Sequence, residues 1–160
     1  MHVKLILDMA RPCFNTGRVL NMDNYYTSVH AFAELPKNGM FARGTCRPNR
    51  KHFPEVVTFT KAEAKAVGRG IVKVASNRKH AMVAMGWVDG NPVHLLTTAD
   101  GTKGSAVKRR IGSQVQTVQA PLAVRRFNHG MQGVGRFDQL VSLFSLAKHC
   151  LLYTSDAADE

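Results

Sequence analysis

Residues 19–28 read VLNMDNYYTS, and this short stretch decides how the chain is expected to fold. Val19–Met22 is a compact, mainly apolar run, which predicts a strand, and Asp23-Asn24 then interrupts it. From Tyr25 to Leu35 the apolar residues recur at helical spacing, and Pro36 is expected to end that helix early. The stretch therefore predicts a strand, a turn and a helix in succession.

Asp23 is the residue of this stretch with the most chemical interest. It ends an apolar strand, where sheet-based active sites usually place their side chains. It equally fits the N-cap of the helix that follows, because a short carboxylate at that position accepts a backbone N–H. Position and composition alone do not separate the two interpretations.

The rest of the chain alternates helix-like and strand-like segments. Apolar periodicity predicts further helices at 3–10, 61–67, 121–127 and 133–149, and further strands at 40–46, 70–75, 81–88 and 93–98. Asp89-Gly90-Asn91 predicts a tight hairpin turn, and 47–53 and 101–113 are predicted to be basic loops. This order of elements predicts an α/β fold with a β-rich middle.

The charge balance favours a polyanionic partner. The 160 residues carry 22 Lys and Arg against 11 Asp and Glu, a formal net charge of +11. Each phosphate that a cation neutralises releases counterions, so such a chain is expected to bind nucleic acid.

No apolar run approaches the roughly 20 residues that span a bilayer. Cys13, Cys46 and Cys150 are too few and too far apart for a disulfide framework or a cysteine-type zinc site, which fits a reducing compartment.

Four motifs, in order, resemble those of the piggyBac transposases. They are DNYYTS at 23–28, GTCRPNRK at 44–51, WVD at 87–89 with Val93 and LTT at 96–98, and FNHGMQGVGRFDQL at 127–140. Together they extend over nearly all of residues 1–149. The resemblance implies an α/β, ribonuclease H-like transposase core that is incomplete here and carries a β-rich insertion. Its implied parts are 1–52 (second part of the core), 53–115 (insertion) and 116–149 (C-terminal core helices).

The resemblance also implies a chemistry. Transposases of this family use an aspartate triad with Mg²⁺ to nick DNA, form hairpins and join ends at TTAA targets. Asp23 matches the second aspartate, the first would lie upstream of Met1, and Gly135 occupies the position of the third. Asp138 matches a nearby family aspartate, so Asp23 and Asp138 are the candidate catalytic residues and metal ligands. Glycine provides no metal ligand, so the chain is expected to be inactive.

The resemblance makes DNA the expected partner, the nucleus the expected location and a homodimer the expected state of the intact parent. The candidate DNA contacts are Arg43, Arg47, Asn49, Arg50, Lys51, Lys108, Arg109, Arg110 and Arg136. A solvated basic surface is the alternative for these residues. Trp87 and Tyr25 are able to stack on bases, but packing in the core is the favoured prediction for both.

Two further alternatives stay open. A domesticated or decayed DNA-binding module without catalysis fits Gly135, and a basic protein-interaction domain fits the charge but not the order of the motifs. Residues 150–160, CLLYTSDAADE, resemble a translated sequencing-library adapter, so this segment is expected not to be native.

Overall fold

A computed structural model describes residues 2–133 of the chain. The described helices are α1 (His2–Ala10), α2 (Val29–Glu34), α3 (Lys61–Val67) and α4 (Leu122–Gly130). The described strands are β1 (Val19–Met22), β2 (Phe41–Thr45), β3 (Val72–Asn77), β4 (Met82–Val88), β5 (Pro92–Thr97), β6 (Gly104–Ile111) and β7 (Gln114–Pro121). The predicted helix 133–149 and the adapter-like segment 150–160 lie outside this description.

A five-stranded sheet in the order β1-β2-β5-β4-β3 forms the centre of the fold. β1 and β2 are parallel, whereas β2–β5, β5–β4 and β4–β3 are antiparallel. The carboxyl ends of β1 and β2 therefore lie at the same end of the sheet as the β4–β5 turn. β3, β4 and β5, which lie in the predicted insertion, continue the sheet begun by β1 and β2. The domain boundaries proposed from sequence stay a prediction.

Both faces of the sheet are covered. One face packs against α1 and α2 through a cluster that includes Ile6, Phe32 and Leu96. The other face packs against the β6–β7 hairpin and α4 through a cluster centred on Trp87 and Leu95. Every residue of β4 is buried, as expected for a strand with apolar layers on both sides.

The start of α2 corrects one sequence prediction. The predicted helix from Tyr25 begins only at Val29, because the Ser28 hydroxyl caps the helix by accepting from the Ala31 N–H at 3.2 Å. Residues 24–26 form a turn instead. Pro36 does end α2, as predicted, but the chain continues through the short 3₁₀ helix Pro36–Asn38.

A second prediction is wrong: the expected loop at 101–113 contains β6, which pairs with β7 in a two-stranded sheet. The sequence of β6 is mostly polar, because only every second side chain of the strand packs against the core. The apolar alternation that indicates a strand is therefore weak in this segment. Val107 and Val118 face each other across the hairpin and are buried. The hairpin therefore has one face buried against the core and one face exposed to solvent.

Candidate functional site

Asp23 lies where the sequence predicts it, directly after β1. Its side chain is exposed. Its Oδ1 accepts hydrogen bonds from the backbone N–H groups of Tyr25, at 3.0 Å, and Tyr26, at 3.3 Å. Asp23 therefore caps the turn 24–26 and not the helix, whose cap is Ser28. Its Oδ2 accepts no hydrogen bond from the described residues.

The turn that carries Asp23 packs closely against β2 at Gly44. The Thr27 hydroxyl donates to the Asp23 carbonyl oxygen at 2.7 Å, which closes the turn. A Cβ at Gly44 would lie 2.2 Å from the Thr27 hydroxyl and 2.7 Å from the Met22 carbonyl oxygen. Only a residue without a side chain fits at this point, and this accounts for the glycine of the second motif.

Arg50 fastens the basic loop 47–53 to the same turn. One of its guanidinium nitrogens, Nη2, donates to the carbonyl oxygens of Asn24, at 2.7 Å, and Tyr25, at 2.9 Å. The arginine was predicted from sequence as a DNA contact, and the structure gives it this intrachain role as well. Arg47, Asn49 and Lys51, the other predicted contacts of the loop, are all exposed.

Arg43 has a different environment from the one that a DNA contact needs. It lies within β2, and its side chain is 8% exposed. Its guanidinium donates to both carboxylate oxygens of Asp100, at 2.5 and 3.1 Å, and to the Asn21 side chain at 3.1 Å. Burial and a carboxylate partner leave the guanidinium little surface for a phosphate, so the structure favours an intrachain role for Arg43 over the predicted DNA contact.

Asp100 is the residue that sequence reasoning missed, since its glycine neighbour suggested an ordinary loop. Its side chain is 1% exposed. It accepts hydrogen bonds from Arg43, from Thr97 and from Arg126 of α4. Burial alone would raise the pKa of Asp100, but the hydrogen bonds from the three partners and the charge of Arg43 hold this pKa below its usual range. The available signal was a carboxylate three positions after the end of a strand whose last four residues are buried.

The three predicted contacts in β6 do not share one surface. Lys108 and Arg110 are exposed. Arg109 points to the other face, where Nε lies 2.7 Å from Asp89 and the guanidinium carbon lies 5.6 Å from the centre of the Trp87 ring. Alternation along the strand explains the division.

The two aromatic predictions have opposite outcomes. Trp87 is 1% exposed and donates from its indole nitrogen to the Gln119 carbonyl oxygen at 2.8 Å, so its prediction as a core residue is confirmed. Tyr25 is 53% exposed, so the same prediction is wrong for this residue. Its ring makes an edge-to-face contact with Tyr26, beside Asp23.

The metal prediction depends on residues beyond the described part of the chain. Asp138, Gly135 and Arg136 lie outside residues 2–133. Within that range, no three His, Cys, Asp or Glu side chains lie close enough together to hold a metal ion. Asp23 offers one carboxylate of the right chemistry, but one carboxylate does not make a two-metal site. None of the described helices is long and apolar enough to cross a membrane.

Comparison with known proteins decides the family. The family model described as "Transposase IS4" matches residues 2–150. The chain belongs to this family. Within it, the chain is similar to the human PiggyBac transposable element-derived protein 2, with 25% identity over 127 residues, which make up 78% of this chain and 21% of that protein. The resemblance to piggyBac transposases predicted from the motifs is thereby confirmed.

The fold is also that of a piggyBac transposase. A cryo-EM structure of a piggyBac transposase synaptic complex with hairpin DNA matches over 88% of this chain and 27% of that chain, with a TM-score of 0.67 and 18% identity. The predicted α/β, ribonuclease H-like fold class is confirmed by this match. The chain spans about a fifth of the length of the curated relative (21%) and about a quarter of that of the solved one (27%).

Proposed function

We propose that this chain is a DNA-binding part of a piggyBac-like transposase whose intact parent cuts and joins DNA strands with Mg²⁺. The carrying observation is that the exposed carboxylate of Asp23 lies beside a basic loop, and that Arg50 joins the two. A strand-cutting site needs this combination, with carboxylates for the metal and cations for the flanking phosphates.

Exposed cations supply the binding energy in this proposal. Arg47 and Lys51 follow β2, so they lie at the carboxyl end of β1 and β2, as Asp23 does. With the net charge of +11, the affinity for duplex DNA should come mainly from the release of counterions. The solved relative in complex with hairpin DNA supports DNA as the partner.

The chain alone should not cut DNA. In our assignment Gly135 replaces the third aspartate of the family, and the first has no counterpart in these 160 residues. Loss of a metal-binding carboxylate removes a charge that the two-metal mechanism requires. For the intact parent we propose Mg²⁺ as cofactor, a homodimer as the working state and the nucleus as the location.

Binding is tested by fluorescence anisotropy with a labelled duplex over a range of salt concentrations. With about six phosphates contacted, log affinity should fall against log salt with a slope of about −5. Lys51→Gln and Arg47→Gln should each reduce the slope by about 1. Lys37→Gln is the matched control, because Lys37 is exposed, pairs with Glu34 and precedes β2, at the opposite end of the strand. An affinity that does not respond to salt would refute the proposal.

Inactivity is tested by incubating the purified chain with supercoiled plasmid and with a transposon-end duplex in Mg²⁺ or Mn²⁺. We expect no nicking. Metal-dependent nicking that Asp23→Asn abolishes would overturn this part of the proposal. A decayed binding module is the second candidate, and Gly135 favours it. Sequencing the rest of the locus distinguishes the two, because an intact parent requires the missing aspartate upstream.

A further inference from the structure

The β6–β7 hairpin has one face committed to the core. Val107 and Val118 pack with Trp87 on this inner face. Arg109 belongs to the same side, since it contacts both Asp89 and the Trp87 ring. These contacts fix the orientation of the hairpin on the sheet, so the opposite face must point away from it.

We define the outer face of the hairpin by four exposed residues, Lys108, Arg110, Val115 and Thr117. Lys108 lies opposite Thr117, and Arg110 lies opposite Val115. No hydrogen bond or ion pair joins these side chains to the rest of the described chain. Residues 101–121 contain four Lys and Arg and no Asp or Glu, so no nearby acid in the sequence offsets the cations.

The Arg109–Asp89 ion pair shows at which end of the sheet this face lies. Asp89 is in the β4–β5 turn, and that turn lies at the same end as the carboxyl ends of β1 and β2. Neighbouring strands are about 4.8 Å apart, so β5 and β4 lie roughly 10–15 Å across the sheet from β1. The hairpin thus brings its cations to the end of the sheet that carries Asp23 and the basic loop.

We infer that the outer face of the hairpin is a second contact surface for duplex DNA, in which Lys108 and Arg110 each bind a phosphate. The inference rests on the proposed function and extends it from the basic loop to the hairpin. Alternate residues lie about 6.8 Å apart along a strand, which lets the two cations reach separate phosphates. A two-stranded β-ribbon also has the width that the major groove admits.

The experiment compares adjacent residues of equal charge on opposite faces of one strand. Lys108→Gln and Arg110→Gln should each reduce the salt slope of duplex binding by about 0.9, so the loss of affinity between 50 and 200 mM salt should be about 3.5-fold smaller for each variant than for the unmodified chain. Arg109→Gln should leave the slope unchanged, because this guanidinium faces Asp89 and the Trp87 ring on the inner face of the hairpin and does not reach a phosphate. Lys79→Gln removes an exposed charge between β3 and β4, at the opposite end of the sheet from the β4–β5 turn, and serves as the second control.

The outcomes distinguish failure of the hairpin surface from failure of the proposed function. Unchanged slopes for Lys108→Gln and Arg110→Gln, together with a reduced slope for Lys51→Gln, would overturn the hairpin surface and leave the proposed function standing. Equal reductions in all variants, Lys79→Gln included, would indicate a general charge effect and would also overturn it. Absence of any duplex binding by the unmodified chain would refute the proposed function itself. Arg110→Lys, which keeps the positive charge, should have the same salt slope as the unmodified chain.

Discussion

Replacement of Asp100 by asparagine is expected to destabilise the fold severely. The side chain of Asp100 is 1% exposed and that of its main partner Arg43 is 8% exposed, so water does not replace the lost charge. Removal of one partner of a buried ion pair leaves the other as an uncompensated buried charge, which costs about 3–5 kcal/mol. For a domain of this size that loss lowers the melting temperature by roughly 10–20 °C.

Urea unfolding monitored by tryptophan fluorescence measures this loss, because the chain contains one tryptophan and it is buried beside the hairpin. The physical reason is tested by a double-mutant cycle with Arg43→Met. In the double variant the guanidinium is gone as well, so its instability should be smaller than the sum of the single effects by about 1–3 kcal/mol. Glu34→Gln, which breaks an exposed pair with Lys37, is the control and should cost at most about 1 kcal/mol.

Two results would refute the reasoning. One is a cost for Asp100→Asn no larger than that of Glu34→Gln, and the other is additivity of the two substitutions. The pH dependence provides an independent check. Since the pKa of Asp100 is lower in the folded state, its contribution to stability is fully present above the unfolded pKa, about 3.9. That contribution is lost as the pH falls through the folded value, and Asp100→Asn should remove this part of the acid sensitivity.

Three further predictions concern the packing over the sheet. Gly86→Ala should prevent folding or destabilise it by at least about 3 kcal/mol in urea titrations, because the new Cβ would lie 1.8 Å from the Val57 carbonyl oxygen. His94 should make stability fall in mild acid: burial, with a smaller effect of Lys73, lowers the pKa of His94, so its contribution is present above about pH 6.5 and is lost as the pH falls through the folded value. Burial raises the pKa of the Cys46 thiol to about 11, so it should react with a thiol reagent at pH 8 only as the protein unfolds.

Each of these predictions has its own control. Alanine at Gly101, where a Cβ would meet nothing within 4 Å, should be tolerated, and an equal cost at both glycines would contradict the packing argument. His94→Gln should flatten the dependence of unfolding free energy on pH between 7.5 and 5, and an unchanged slope would exclude His94 as its source. The half-buried Cys13 should react before Cys46 in a Cys150→Ser background, and the reverse order would show that Cys46 is accessible.

The local features of the fold were open to prediction because neighbouring residues produce them. The apolar run Val19–Met22 forms the predicted strand, and Asp89-Gly90-Asn91 forms the predicted hairpin turn between β4 and β5. The helix predicted at Lys61–Val67 has the predicted bounds. The first of these also located Asp23 at a strand end. The start of α2 was misplaced because Asp23 and Ser28 are both able to cap a helix, and spacing alone does not show that Asp23 binds the turn 24–26 while Ser28 caps α2.

The sequence by itself determined the family, the α/β class and the strand-end position of Asp23, because motif order and apolar periodicity are properties of the linear chain. Only the tertiary structure decided what each cation does. Arg43 pairs with Asp100 across 57 positions of sequence, Arg50 binds a turn 25 positions upstream, and Arg109 differs from Arg110 by facing the core. The partner of a charged side chain and its burial are set only when distant strands come together in the fold. These two properties distinguish a structural arginine from one that is available to a phosphate.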